Sequence, residues 1–355
     1  MKRSLSAAFW QGRRVFITGH TGFKGSWLAL WLHTLGAQVY GYALVQDDMQ
    51  HARATALAPY MEQETGDICD TARIARAMQR FGPDVVIHLA AQALVRASYE
   101  EPLATFQSNV MGTACVLEAV RTTPAIRCAL MITTDKCYED QRWPWGYRET
   151  DRLGGYDPYS ASKAAAELTC AAWRSSFLAE KGVAVMTARA GNVIGGGDLA
   201  KDRLIPDMVR AIAAGRPVHL RNPQAVRPWQ HVLEPLAGYL HLIRLACEGQ
   251  DVTGAWNFGP DDTQVQTVQW MAEQFARAWG APVNWILEKE PQPHETDVLL
   301  LDCSKARRVL GWRPALDAEQ ALGWTAAWYR RALEGAPAAD LCMEQIRTYT
   351  RFFEE

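Results

Sequence analysis

Apolar positions in this chain form short unbroken runs separated by stretches with helical periodicity. Val15-Phe16-Ile17-Thr18 is the first such run, as expected of a strand buried on both faces. Residues 39–44, 85–90, 129–133 and 183–188 repeat the pattern. Between them, Trp27, Leu28, Leu30, Trp31 and Leu35 recur at helical spacing until Gly36, and residues 71–80, 102–120 and 160–180 are further helices. Strands alternating with helices predict βαβ crossovers and a parallel sheet covered on both faces. After Arg189 the punctuation changes. Gly191, Gly195, Gly196 and Gly197, then Pro206, Pro217, Pro223 and Pro228, mark loops. Trp256-Asn257-Phe258 is expected to return a strand to the first domain, and helices at 268–279, 304–310 and 318–333 to build a smaller lobe.

The 355 residues suggest two domains, divided softly near residue 190. Residues 1–190, with a return segment near 229–260, form the first, and 191–355 mainly the second. Hydrophobic content of 48% and charged content of 21% suit a folded globular chain. Lys plus Arg (37) nearly balances Asp plus Glu (39), so no basic surplus exists to grip a nucleic-acid backbone. No apolar run reaches the roughly 18 residues of a membrane span, and residues 1–11 contain no secretory apolar stretch. Eight scattered cysteines without a C-x-x-C pair, and eight dispersed histidines, argue for reduced thiols, a cytoplasmic location and no structural metal. Of 14 tryptophans, eight lie from Trp229 onward, and most are expected in the core.

Gly19, Gly22 and Gly25 stand at G-x-x-G-x-x-G spacing between the first strand and its helix. The first permits a tight turn, the second a close approach to a pyrophosphate, and the third close helix–strand packing. With His20, Phe23 and Lys24 they form a candidate dinucleotide loop, in which Lys24 is expected to contact the cofactor. The acid that normally follows about 20 residues on to bind ribose is missing from Tyr42-Ala43-Leu44-Val45-Gln46, so these residues do not separate NAD from NADP. Asp67, before Ile68, stands where it can accept from an adenine amino group or cap the helix at Thr71. Leu89, Ala90 and Ala91 offer small side chains against which a cofactor can lie.

Tyr159 and Lys163 are four residues apart, one turn on one helical face. A cation there is expected to favour the phenolate, which can take a hydroxyl proton while hydride leaves the same carbon. These features, with His88-Leu89-Ala90-Ala91, Arg189-Ala190-Gly191-Asn192-Val193 and Arg227-Pro228-Trp229-Gln230-His231-Val232, resemble the extended short-chain dehydrogenases/reductases that act on nucleotide-diphosphate sugars. The resemblance runs from Val15 to about Pro314. It implies a Rossmann-type doubly wound parallel sheet, a smaller, partly interleaved C-terminal α/β lobe that holds the sugar nucleotide, and NAD as cofactor.

Thr134-Asp135-Lys136, where a sheet strand ends, is similar to the Thr-Asp-Glu triplet of sugar-nucleotide 4,6-dehydratases, with a lysine in place of the glutamate. That variant, with the 19–27 loop and Gly195-Gly196-Gly197-Asp198 leading to Asp202-Arg203, resembles the dehydratases that take CDP-glucose, which places the chain in deoxysugar biosynthesis of the kind that serves lipopolysaccharide O-antigen. The resemblance implies Tyr159 as the base at the C4 hydroxyl, Thr134 as a hydrogen-bond partner of the C4 oxygen and Asp135 as the acid for the C6 hydroxyl. Lys136 acts at C5, either as base, which requires that its amine be held neutral, or as an electrostatic stabiliser. Asn192, Arg203 and Arg227 are candidates for the diphosphate, Arg96 and His294 for further substrate contacts. A homodimer or homotetramer built on the 102–120 and 160–180 helices is implied as well. A 4-epimerase or decarboxylase of the same superfamily has no need of an acid at C6, and a dinucleotide-sensing regulator has no need of the Tyr/Lys pair.

Overall fold

A computed structural model describes residues 6–261, 265–282, 284–288 and 298–353. In chain order the first part reads α1 (Ala7–Trp10), β1 (Arg14–Thr18), α2 (Phe23–Thr34), β2 (Gln38–Ala43), α3 (Asp48–Leu57), β3 (Glu62–Thr65), α4 (Thr71–Phe81) and β4 (Val85–His88). Then come α5 (Val95–Glu100), α6 (Pro102–Phe106), α7 (Gly112–Arg121), β5 (Cys128–Ile132), α8 (Pro158–Trp173) and β6 (Ala184–Ala190). A π turn, Gln107–Met111, joins α6 to α7. The rest comprises β7 (Val193–Ile194), α9 (Leu204–Ala213), β8 (Val218–Leu220), β9 (Val226–Arg227), β10 (Gln230–His231), α10 (Leu233–Cys247) and β11 (Gly254–Phe258), followed by β12 (Gln266–Thr267), α11 (Val268–Trp279), β13 (Trp285–Leu287), α12 (Ala318–Leu333) and α13 (Ala338–Thr350).

Seven strands form one sheet in the order β11-β6-β5-β4-β1-β2-β3, every neighbouring pair parallel. This is a doubly wound Rossmann-type sheet, and its strand order reverses between β1 and β4. Ligands in such sheets bind beyond the carboxyl ends of the strands at that switch point. The central strands are apolar throughout because both faces are covered: β5, Cys-Ala-Leu-Met-Ile, has no exposed residue. The short pairs β10–β7, β12–β9 and β13–β8 carry the lobe that roofs the carboxyl edge.

β11 pairs with β6, so Trp256-Asn257-Phe258 does return to the sheet. α10, which packs beneath it, is not legible from periodicity. Twelve of its 15 residues are buried, leaving no polar face, and Pro235 and Gly238 read as breakers. Gly238 is required there, because a Cβ would fall 2.4 Å from the Phe258 ring. The C-terminal helix α13 packs back on α2 near the start of the chain, with the Trp31 and Tyr349 rings 5.6 Å apart. The polar edge strand β3 is likewise not legible from periodicity, since Glu-Gln-Glu-Thr carries no apolar signal.

A buried ion pair braces the floor of the cleft. Glu167 on α8 accepts from Arg189 Nε and Nη2 at 3.0 and 2.8 Å, and from the Thr187 and Thr133 hydroxyls. Hydrogen bonding by Arg189 keeps the carboxyl below its ordinary range although desolvation opposes it. Arg189, on β6, therefore locks that strand to the helix that carries Tyr159 and Lys163.

Candidate active site

A cavity of about 770 Å3 opens at the carboxyl edge of the sheet, between the glycine loop and the lobe. Gly19 ends β1 with φ +75°, and a Cβ on it would lie 2.6 Å from the Ala90 backbone nitrogen. A Cβ on Gly25 would lie 2.1 Å from the Gly19 carbonyl. Only glycine lets the first turn of α2 press against the β1 and β4 ends in this way. α2 starts at Gly22 with no side-chain cap, so its first-turn amides are not claimed by a side chain where Gly22, Phe23 and Lys24 line the cavity. An uncapped helix start at the switch point, walled by Leu89 and Ala91, fits a dinucleotide pyrophosphate.

Thr134, Asp135, Lys136, Tyr159 and Lys163 all line this cavity. Asp157 caps α8 by accepting from Ser160 N at 2.9 Å, and Pro158 follows it, so Tyr159 sits in the first helical turn and Lys163 one turn later. Thr134 accepts from Lys136 N at 3.3 Å and sets up the short 3-10 turn Asp135–Cys137, which aims Asp135 into the cleft. Asp135 is 2% exposed. Its Oδ1 accepts from the Thr134 hydroxyl at 3.0 Å, and Oδ2 meets no donor among the described residues. Burial raises its pKa, against the opposing pull of Lys136, Thr134, Arg227 and Lys24. A carboxyl held neutral can donate a proton.

Tyr159 differs from expectation. Its phenol is pushed up to about 12, chiefly by burial, with Thr134 working the other way. Lys163 Nζ donates to the Ile132 carbonyl at 3.3 Å rather than stabilising a phenolate, and burial lowers its pKa to about 8. Desolvation outweighs the cation because the whole turn of helix is enclosed. Lys24 is lowered to about 8, first by burial and then by Arg203; the carboxylates of Asp135 and Asp198 oppose that.

Arg96, Asn192, Arg203 and Arg227 line the same cavity. Arg96 Nη1 stands 3.2 Å from Asp202 Oδ1, bridging α5 to the lobe, and Arg203 Nη1 stands 2.9 Å from Asp198 Oδ2. Arg227 is buried, and Nη1 donates to the Val226 carbonyl at 2.9 Å. His294 lies outside the described residues.

Four expected cofactor residues do not line the cavity. The His20 imidazole is buried against Gly41 and bonded to Gln63 at 3.0 Å. Asp67 is exposed and closes a local turn by accepting from Cys69 N, while Asp70, not Asp67, caps α4. Ile68 packs on Gly112, and Ala90 contributes its backbone beside Gly19. Conversely, Gln46, Gln50 and Arg53 line the cavity unannounced. They ride on or beside α3, which buries only Leu57 and so shows no apolar stripe; the Asp47/Gln50 capping spacing was its one sequence signal.

The family described as GDP-mannose 4,6 dehydratase matches residues 16–324. The chain is 46% identical over 348 residues to the CDP-glucose 4,6-dehydratase of Salmonella typhimurium, covering 96% of this chain and 97% of that one. It is 30% identical to the dTDP-glucose 4,6-dehydratase of Xanthomonas campestris, covering 74% and 77%. Among solved structures it resembles a UDP-glucose 4-epimerase from Stenotrophomonas maltophila with bound NAD and formylated UDP-arabinopyranose (TM-score 0.81, 22% identity, 91% and 100% covered). It also resembles the dTDP-glucose 4,6-dehydratase of Bacillus anthracis in complex with NAD (TM-score 0.76, 21% identity, 91% and 98% covered). This chain belongs to the GDP-mannose 4,6-dehydratase family of nucleotide-sugar dehydratases.

Proposed function

We propose that this chain converts CDP-glucose to CDP-4-keto-6-deoxyglucose, as an NAD-dependent hydro-lyase. The observation that carries this reading is the pairing, in one cavity, of a buried Tyr159 with a buried Asp135 carboxyl whose pKa desolvation raises. An epimerase needs the tyrosine but has no leaving hydroxyl for the acid to protonate. The identity to the Salmonella CDP-glucose enzyme, over nearly the whole of both chains, supports the choice of nucleotide.

The residues divide the work as follows. Tyr159 takes the C4 hydroxyl proton in its phenolate form, which the positive nicotinamide of bound NAD would favour against the burial that raises its pKa, and Thr134, which donates to Asp135 at 3.0 Å, would sit beside that oxygen. NAD, held by the glycine loop, would supply a reversible hydride store for oxidation at C4 and reduction at C6. Oxidation at C4 acidifies the C5 proton. Asp135 then delivers its proton to the C6 hydroxyl so that water leaves. Lys136, beside it, takes the C5 proton and returns it to C5 when C6 is reduced, or stabilises the enolate with its charge while water takes and returns that proton. Lys163 holds the site's cationic corner, and Arg203, Arg227 and Asn192 hold the diphosphate. Arg96 reaches the substrate by exchanging Asp202 for a phosphate oxygen.

The reading extends to assembly and location. Leu103, Met111 and Leu168 are 85, 50 and 61% exposed on the α6–α7 and α8 helices, supporting a homo-oligomer built on that pair. All eight cysteines are free thiols, and among the described residues no helix is long and apolar enough to cross a membrane, which fits work in the cytoplasm. Incubating the NAD-supplemented protein with CDP-, dTDP-, GDP- and UDP-linked hexoses tests the substrate. A 4-keto sugar chromophore from CDP-glucose is expected, and its absence removes the nucleotide assignment.

A further inference from the structure

Three consecutive carbonyls in the loop after β7 are each held by a side chain from a different helix. The Trp27 indole of α2 donates to the Gly196 carbonyl at 2.9 Å. Arg53 of α3 donates to the Gly197 carbonyl through Nη2, and the Tyr329 hydroxyl of α12 to the Asp198 carbonyl. Arg53 donates through Nη1 to a second loop, at the Thr21 carbonyl of the glycine loop, 3.2 Å away. Trp328 covers the loop so closely that a Cβ on Gly196 would fall 2.0 Å from its ring. What these tethers hold still is Asp198. Its carboxylate is buried, accepts from Ala200 N at 3.2 Å, and fixes the Arg203 guanidinium at 2.9 Å on the cavity wall.

We propose that Arg53 is a positioning residue that couples the phosphate loop to Arg203, through Gly197 and Asp198, so that cofactor seating and substrate affinity are set together. A run of three glycines has more backbone freedom than any other sequence, so a loop built on it is ordered only by what grips it from outside. A planar guanidinium offers fixed donor directions that suit two carbonyls on two separate loops, whereas an ammonium is a point charge without that preset fork. Arg53 also faces the Asp198 carboxylate electrostatically. It thus helps balance that buried charge as well as fixing the backbone that carries it. Neither Arg53 nor Tyr329 needs to touch the reacting carbons for this. The inference rests on the reading of Arg203 as a diphosphate ligand.

The test is a pair of mutant cycles on the full-length NAD-supplemented enzyme with CDP-glucose. Arg53→Met is expected to raise KM for CDP-glucose at least tenfold, to lower kcat by less than threefold, and to weaken NAD binding measured by fluorescence titration. Tyr329→Phe, which does not touch the glycine loop, is expected to raise KM about threefold and leave NAD affinity unchanged. In an Arg203→Met background both KM effects should shrink below twofold, which a merely structural role would not produce. Unchanged KM in Arg53→Met and Tyr329→Phe, or effects that simply multiply with that of Arg203→Met, overturn the coupling. Should Arg53→Met not fold, Arg53→Gln, which can reach one of the two carbonyls but not both, takes its place in the cycle with the same expected rise in KM and loss of NAD affinity. If Arg203→Met itself leaves KM unchanged, the diphosphate assignment falls and the coupling with it. If Arg203→Met raises KM while the other two do not, only the coupling falls.

Discussion

The Thr134 hydroxyl donates to Asp135 Oδ1 at 3.0 Å, and the other carboxyl oxygen, Oδ2, lies buried without a donor among the described residues. One oxygen is thus oriented, and a proton on the other would meet no competing donor among the described residues. Because burial raises the Asp135 pKa, the acid form persists above the ordinary carboxylate range. The dehydration step is expected to slow as pH rises through that raised pKa, since it consumes the protonated form. Asp135→Asn, which cannot deliver the proton, should lower kcat by about 100-fold or more while still permitting reduction of NAD by CDP-glucose in a single turnover. Stopped-flow absorbance of NADH separates the two steps.

Lys163 is a second group whose environment disfavours its charge, with an opposite consequence for stability. Its pKa falls to about 8 in the fold against an ordinary 10.5. Below pH 8 both folded and unfolded chains carry the proton, and the fold bears the full desolvation cost. Between about 8 and 10.5 the unfolded chain binds the proton and the folded chain does not, so stability rises with pH. Lys163→Met removes a penalty of at most roughly 3 kcal/mol. The unliganded variant should melt a few degrees above wild type at pH 7, with the difference shrinking by pH 10, and should be nearly inactive. Differential scanning calorimetry at the two pH values checks the sign.

Lys136 occupies the place of a glutamate in the Thr-Asp-Glu triplet and lines the cavity with Asp135. Lys136→Met in deuterated buffer is expected to lose exchange at C5 of the 4-keto sugar by at least tenfold, read by NMR. Exchange at the full rate would exclude both the base and the stabilising role.

Leu168, 61% exposed on α8, and Leu103, 85% exposed on α6, present the apolar face assigned to self-association. Leu168→Glu places a charge at that contact and is expected to shift the protein to monomer in light scattering at micromolar concentration. An unchanged mass would move the interface elsewhere.

The sequence made some of this architecture plain and hid the rest for physical reasons. Strands such as β5 are unbroken apolar runs because helices cover both faces, and α12 was readable to its last residue. α10 was hidden by burial of twelve of its 15 residues and α3 by burying only Leu57, since either extreme erases the period. Thr134, Asp135, Lys136, Tyr159 and Lys163 converge because each stands at or near the end of a central strand or at the start of α8. Electrostatics was the part least readable from spacing. The four-residue spacing of Tyr159 and Lys163 suggests a stabilised phenolate, but desolvation of the enclosed helix turn dominates and raises the phenol pKa. His20 likewise stands inside the loop in sequence, yet turns toward Gly41 on β2 and Gln63 on β3.

Transfer of hydrogen from C4 to C6 within one sugar distinguishes a 4,6-dehydratase from an epimerase on the same fold. CDP-glucose deuterated at C4 should yield, with the NAD-loaded enzyme, CDP-4-keto-6-deoxyglucose carrying the deuterium at C6, with no net NADH at completion. Deuterium returned to C4 of a recovered hexose, or no 4-keto product at all, would contradict the assignment of Tyr159 and Asp135 to a joint oxidation and dehydration.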